Sequence, residues 1–549
     1  MNEEKNVLEN EAMAETPEQN LKANKKKRNI KWIMVAAVVA AVILLACVSQ
    51  SATVANAVAK LVMSPQKYYQ HVEEDTAETL VKAITSVYTD TIESNTELNQ
   101  NTKLDVTLNL EDDMIDLLSA ITYENLDILK DFGFQVGFNG KDNAMKMSLG
   151  LNANGKEFLG GNLILDLKGE TLYVQIPQLV KSYLSVNLDD LFEMLAVDME
   201  AADLKAEMEA TQEAYKNLPD VKELEKLLNK YIQLALSCIE DVKEEKTTLN
   251  INNVSMKCTE LTITIDEETV QKMLELVLDT MEKDKELETF ITNAAVIMQS
   301  EMDGEDLYDE VMEIVSYLSD EIEYISLDDE LEMTVWVDKN GVICGRSIEI
   351  PMEYNGKIEA SYVVAKSGKN LGIELEAEYN GTKLRMDGNA KQKSKKYSGE
   401  LDVKVAGLKV AKLSFSKVES NKDKFKGEFL LTPQKSIVDL VEDELGSSLP
   451  IDLSDLGLKL KADTTAEKGS VEVAVMLEEE ALATVTTMVE SGKGSSVSLP
   501  KEKECIQIEE ADDLYDYLEE ISIDDLLEDL EDIGIPESIL DELYWLLLY

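Results

Sequence analysis

The sequence predicts an α+β protein: one N-terminal transmembrane helix, then curved antiparallel sheet of half-barrel-like form, as one sheet or two related halves, with inserted helices. Three observations predict it. Every residue from Trp32 to Val48 is apolar. Five Asn-Gly pairs, the best local mark of a two-residue hairpin turn, sit among segments that alternate apolar and polar residues. Between the two groups of pairs runs a long section of helical periodicity.

The apolar run contains Trp32, Ile33, Val35, Val38, Val42, Ile43, Leu44 and Leu45. As a helix it reaches about 26 Å, the short end of a bilayer span. Lys25, Lys26, Lys27, Arg28 and Lys31 precede it, and only Lys60 and Lys67 follow closely. The positive-inside rule then keeps residues 1–31 in the cytoplasm and sends the rest out. A cleaved signal is an alternative, because Ala55-Asn56-Ala57 has the A-x-A outline. A lipid on Cys47 is another, but Leu45 fits a lipobox poorly and the polar leader is long. An uncleaved signal-anchor at 32–49 is expected, with the cell membrane as location and partner and an extracytoplasmic body.

Beyond the anchor, residues 64–190 read as a helix followed by a first strand group. The helix carries Ala77, Leu80, Val81, Ile84 and Tyr88 on one side. Asn139-Gly140 and Asn154-Gly155 mark the strand group. Residues 191–326 are mainly helical: Pro219 can open a helix, Asp266 can cap another, and "TTLNINNVSMKCTELTITI" supplies a strand pair. Residues 327–500 hold the second strand group, with Asn340-Gly341, Asn355-Gly356 and Asn380-Gly381. "LGIELEAEY" puts Leu371, Ile373, Leu375, Ala377 and Tyr379 on one face and three glutamates on the other. Residues 501–549 form an acidic tail with leucine stripes that ends "YWLLLY", too short to span a bilayer.

Composition excludes more than it assigns. Lys+Arg is 53 against Asp+Glu at 109, a net charge of −56, and such a surface repels phosphate backbones. Nucleic acid is not an expected partner. Five scattered cysteines, with no CxxC, make neither a disulfide framework nor a zinc site. The single histidine, His71, cannot build a metal cluster. No phosphate loop, GxSxG or HExxH occurs. No catalytic residue, metal or cofactor is expected, and the chain does not read as an enzyme.

Three stretches carry a resemblance: "VMSPQKYYQHVE", "GETLYVQIPQLVKSYLSVNLDDLF" and "VSMKCTELTITIDEE". On them the chain resembles membrane-anchored extracytoplasmic proteins of unknown function from Gram-positive bacteria. More remotely it is similar to the LolA-like half-barrel of lipoprotein carriers, over most of 60–500. That likeness implies an apolar ligand such as an acyl chain held against a concave sheet, and carries over no binding residue. The expected lining is Leu401, Val403 and Val405 with Val471, Val473 and Val475, which alternate inward on their strands. The alternative is a structural or protein-interaction module of the envelope in which helices fill that face and leave no cavity.

Overall fold

Among the described residues twenty strands make a single ladder, antiparallel throughout except where Cys505–Ile508 joins Tyr183–Asn187. The computed structural model describes residues 63–509 apart from short internal stretches and 439–454. Beyond 509 it describes only Asp513, Leu527, Glu528, Leu530, Glu531 and Leu540.

The chain enters through α1 (Pro65–Asn95). Pro65 takes the first helical position, where its missing N–H costs nothing, and the Ser64 carbonyl receives the Tyr68 N–H at 2.8 Å. Next come β1 (Gln100–Leu110), α2 (Asp112–Thr122), β2 (Phe132–Lys141), β3 (Ala144–Ala153), β4 (Lys156–Asp166), β5 (Thr171–Gln175) and β6 (Tyr183–Asn187). Helices α3 (Leu188–Met194), α4 (Ala201–Asn217) and α5 (Val221–Ser237) follow. Hairpin β7 (Val242–Ile251) and β8 (Val254–Ile265) leads to α6 (Glu267–Met281), α7 (Lys285–Ile297) and α8 (Gly304–Glu321). The second run of strands is β9 (Leu331–Val337), β10 (Ile343–Met352), β11 (Gly356–Ser367), β12 (Asn370–Tyr379), β13 (Thr382–Lys393), β14 (Lys396–Val405), β15 (Leu408–Asn421) and β16 (Lys424–Pro433). It continues through β17 (Leu456–Thr465), β18 (Lys468–Leu477) and β19 (Glu480–Gly492), and β20 (Cys505–Ile508) closes the described strands.

Within the sheet, β7 to β19 pair in sequence order. Strand β19 then pairs with β1, and β1 to β6 continue the ladder. Strand β20 adds to β6 in parallel. The two strand groups of the sequence are therefore one sheet, joined at β19–β1, with β7 and β20 as its two edges.

This corrects the expected half-barrel. Among the described residues no pairing closes the ladder, and the two groups are not separate curved halves but consecutive stretches of one open sheet. The expected single-pass anchor also changes. Among the described residues no helix is long and apolar enough to cross a membrane. The span at 32–49, its basic flank at Lys25–Lys27, Arg28 and Lys31, and Cys47 lie outside the described residues. On that finding the anchored topology, the membrane as partner and the extracytoplasmic location are not carried forward.

The core sits where α1 crosses β8–β10. Tyr68, Tyr69 and Val72 of α1 meet Leu261 and Ile263 of β8, Met333, Val335 and Val337 of β9, and Ile343 of β10. Each such side chain, once fully buried, contributes about 1.5–3 kcal/mol. The buried stripe of α1 starts earlier than the sequence suggests: Ala77 and Val81 are buried, but Ile84 is half exposed. Polar contacts fix α1 to α5 along its length. Gln66 Nε2 donates to the Ile239 carbonyl at 3.1 Å and Gln70 Nε2 to that of Leu236 at 3.0 Å. Tyr88 donates to the Pro219 carbonyl at 2.8 Å. Pro219 itself stands outside α5; Asp220 is the cap, in a reciprocal box with Glu223. Asp266 caps α6 through the Thr269 N–H at 2.8 Å. Leu278 of α6, Val315 of α8 and Ile322 in the turn just after α8 form a second core. The helical section thus gathers around α1 and on itself.

Candidate functional site

The site begins at the β7–β8 hairpin. Asn252 and Asn253 form its tip with φ of 48° and 65°, a left-handed pair that asparagine tolerates well. Asn252 Nδ2 donates to the carbonyls of Ile373 at 2.9 Å and Gly388 at 3.0 Å. Asn389 Nδ2 returns a bond to the Asn252 carbonyl at 2.9 Å. The hairpin is therefore laid over β12 and β13. Gly372 permits the contact: a Cβ there would lie 2.0 Å from the Ile251 carbonyl oxygen.

Met256 of the hairpin also borders a cavity of about 1120 Å³, lined by Ile343, Ile348, Tyr362, Ile373 and Met386 among others. Its one buried charge is Arg346. Both Nη atoms of that guanidinium donate to the two carboxylate oxygens of Glu73 on α1, and each residue is almost fully buried. Burial alone would lower the Arg346 pKa, but the Glu73 carboxylate wins and holds it above its usual value. Burial, reinforced by Glu73, also keeps Tyr69 protonated well past the ordinary phenol range. Cys344, on the cavity rim, has its thiol pushed up by burial, so it is a poor nucleophile. No cluster of three metal-ligating side chains occurs among the described residues. Charge here is spent on holding α1 in place.

The wider feature is the sheet face continuous with the cavity floor. One paired row runs Leu413, Leu431, Leu458, Val475, Ala483 and Leu110 across β15–β19 and β1. The next runs Phe415, Phe429, Leu460, Val473, Val485 and Leu108, and reaches Phe132 on β2. None of the positions in these central rows is charged. Phe425 and Phe429 stack with ring centroids 6.3 Å apart. Leu110 at the end of the first row is buried, but the middle of the face is open: Leu431 is 39 % exposed, Leu458 46 % and Val475 39 %. The opposite face holds the charges in cross-strand pairs, such as Arg385–Glu374 at 2.6 Å, Lys404–Asp387 at 2.6 Å and Lys461–Glu472 at 2.9 Å.

The sequence matches no protein-family model and no curated protein. With an open ladder and no membrane-length helix among the described residues, the likeness to anchored carriers of half-barrel form does not hold.

The structure places the six expected lining residues on the apolar face but not around the cavity. Val403 pairs with Met386 and Ala411, and Val405 with Leu384 and Leu408. Leu401 is buried between Gly388 and Leu413. Val471, Val473 and Val475 lie on β18, five strands along the ladder from β13. The Arg346–Glu73 pair was missed. Its signal is slight: Arg346 is one of three arginines in the chain, set between Ile343 and Ile348 in an apolar strand.

Proposed function

We propose that the chain is a non-catalytic structural and protein-interaction module: a packed core under α1, extended into a broad sheet that presents one apolar face. The observation that carries this reading is the uncharged, half-exposed face of β15–β19, β1 and β2, backed by cross-strand ion pairs on the other side. Folded monomers rarely leave a contiguous apolar patch above about 300–600 Å² uncovered, and larger ones mark interaction surfaces. The expected carrier activity is set aside because the charge in the cavity is already neutralised from within the chain and the sheet does not close.

The test is the double variant Leu431→Lys/Leu458→Lys, unfolded by denaturant in dilute protein. On an interaction surface the lysines reach water by their long stems, and the midpoint shifts by no more than about 0.5 kcal/mol. A loss of several kcal/mol would mean that the face belongs to the chain's own core, which overturns the reading.

A further inference from the structure

We infer that the partner of the apolar face is a second copy of this chain, docked sheet against sheet; the inference rests on the interaction reading above. Size is the first argument. Eight strands, β15–β19 and β1–β3, share the open part of this face in uncharged paired rows. At usual strand spacing and rise that is roughly 1,000 Å². A stable interface needs about 800 Å² from each partner. The face clears that requirement without any help from its rim.

Charge is the second argument. A twofold axis brings a surface against itself, so any charge on it meets its like. The chain as a whole carries −56, and most contacts between two copies would bring carboxylates together. The central rows of this face carry no charge on any strand. They are the surface on which two such acidic molecules can meet without electrostatic cost. A basic foreign partner would instead be drawn to the acidic remainder and away from these rows. Twisted sheets with apolar inner faces pack about 10 Å apart with strands inclined by about 30°, an arrangement open to two identical sheets. The central contact would fall at Leu431, Leu458 and Val475, whose side chains stand half exposed in one row.

Sedimentation equilibrium of the full chain at micromolar concentration tests this. The wild-type chain should have twice the monomer mass, and added salt should tighten the association by screening the net charge. Leu431→Lys/Leu458→Lys should sediment as a folded monomer, with an unchanged circular dichroism spectrum. The gentler pair Leu458→Thr/Val475→Thr keeps good strand formers and should weaken the dimer at least tenfold. A wild-type chain that stays monomeric, or a dimer that the lysine variant leaves intact, overturns the second copy as partner. If both variants instead fail to fold, the interaction reading itself falls.

Discussion

Arg346 on β10 and Glu73 on α1 meet in a two-pronged ion pair across 273 residues of sequence, with both side chains almost fully buried. The Arg346 Nε, also buried, has no hydrogen-bond partner among the described residues. Burying two charges costs more than their attraction returns unless the geometry is good, and here one donor is left over. The pair therefore fixes which turn of α1 lies on β10 more than it adds stability. The rest of the contact of α1 with β8–β10 is apolar, and Gln66, Gln70 and Tyr88 hold the same register from the other side.

Glu73→Leu alone should destabilise the fold by about 3–5 kcal/mol, because it leaves the guanidinium buried and unpaired. Glu73→Leu with Arg346→Met should recover most of that loss. Denaturant midpoints of the three proteins check it. A double variant as unstable as the single would show that the pair itself stabilises the fold.

The second keystone is Asp284, buried at the start of α7. Its carboxylate accepts from Tyr231 at 2.7 Å, Lys230 at 2.8 Å and the Glu286 N–H at 3.0 Å. Burial pushes its pKa up, but the bonds from Lys230 and Tyr231 outweigh that and leave it below the usual carboxylate value. A carboxylate depressed in the folded state gives stability that is present above its unfolded pKa and lost as pH falls through the folded one. Wild-type protein should therefore lose stability below about pH 4 relative to Asp284→Asn, whose amide does not titrate. Near neutral pH the variant should be the weaker by about 1.5–3 kcal/mol, from loss of charged hydrogen bonds. Parallel pH profiles for the two proteins would remove Asp284 from this role.

Local order was legible in the sequence, and the global arrangement was not. The alternation of Leu371 to Tyr379 is β12, and the spacing after Asp266 is α6, because period and capping are properties of adjacent residues. Gly381 has the positive φ that its Asn-Gly pair predicts, whereas Gly140 lies inside β2 and the turn comes after it. The junction of β19 with β1 brings Ala483 to Leu110, and no local pattern encodes which strand ends meet across such a distance. The same holds for Arg346 and Glu73. Period two also says which side chains share a face but not what lies over it.

Thiol chemistry should follow burial. Among the described residues Cys238, Cys258, Cys344 and Cys505 form no disulfide with one another, and the first two are buried. Burial raises both Cys344 and Cys505, with Glu504 adding to the latter, but Cys505 lies on the terminal strand β20. Alkylation of the native chain at mildly alkaline pH should modify Cys505 first among these four, with Cys344 protected until the protein unfolds. Peptide mass mapping gives the order. Early labelling of Cys344 would mean that the cavity rim opens readily.

Gly372 makes the most local claim about the β7–β8 hairpin. A methyl group there would lie 2.0 Å from the Ile251 carbonyl oxygen and 2.8 Å from its carbon, and backbone cannot swing aside as a side chain can. Gly372→Ala should lift the β7–β8 tip off β12 and break the bonds from Asn252 to Ile373 and Gly388. The expected loss is about 2 kcal/mol or more, from overpacking together with buried acceptors left unpaired. Two other glycines calibrate it. Gly161 on β4 has nothing within 4 Å of its virtual Cβ, so Gly161→Ala should be neutral or slightly stabilising. Gly381 is equally uncrowded but has φ of 79°, so Gly381→Val should cost about 1 kcal/mol from backbone strain alone. Hydrogen exchange separates the mechanisms. Gly372→Ala should speed exchange across β7 and β8, whereas Gly381→Val should affect the β12–β13 turn. If Gly372→Ala matches Gly161→Ala in both midpoint and exchange, the hairpin does not rest on β12.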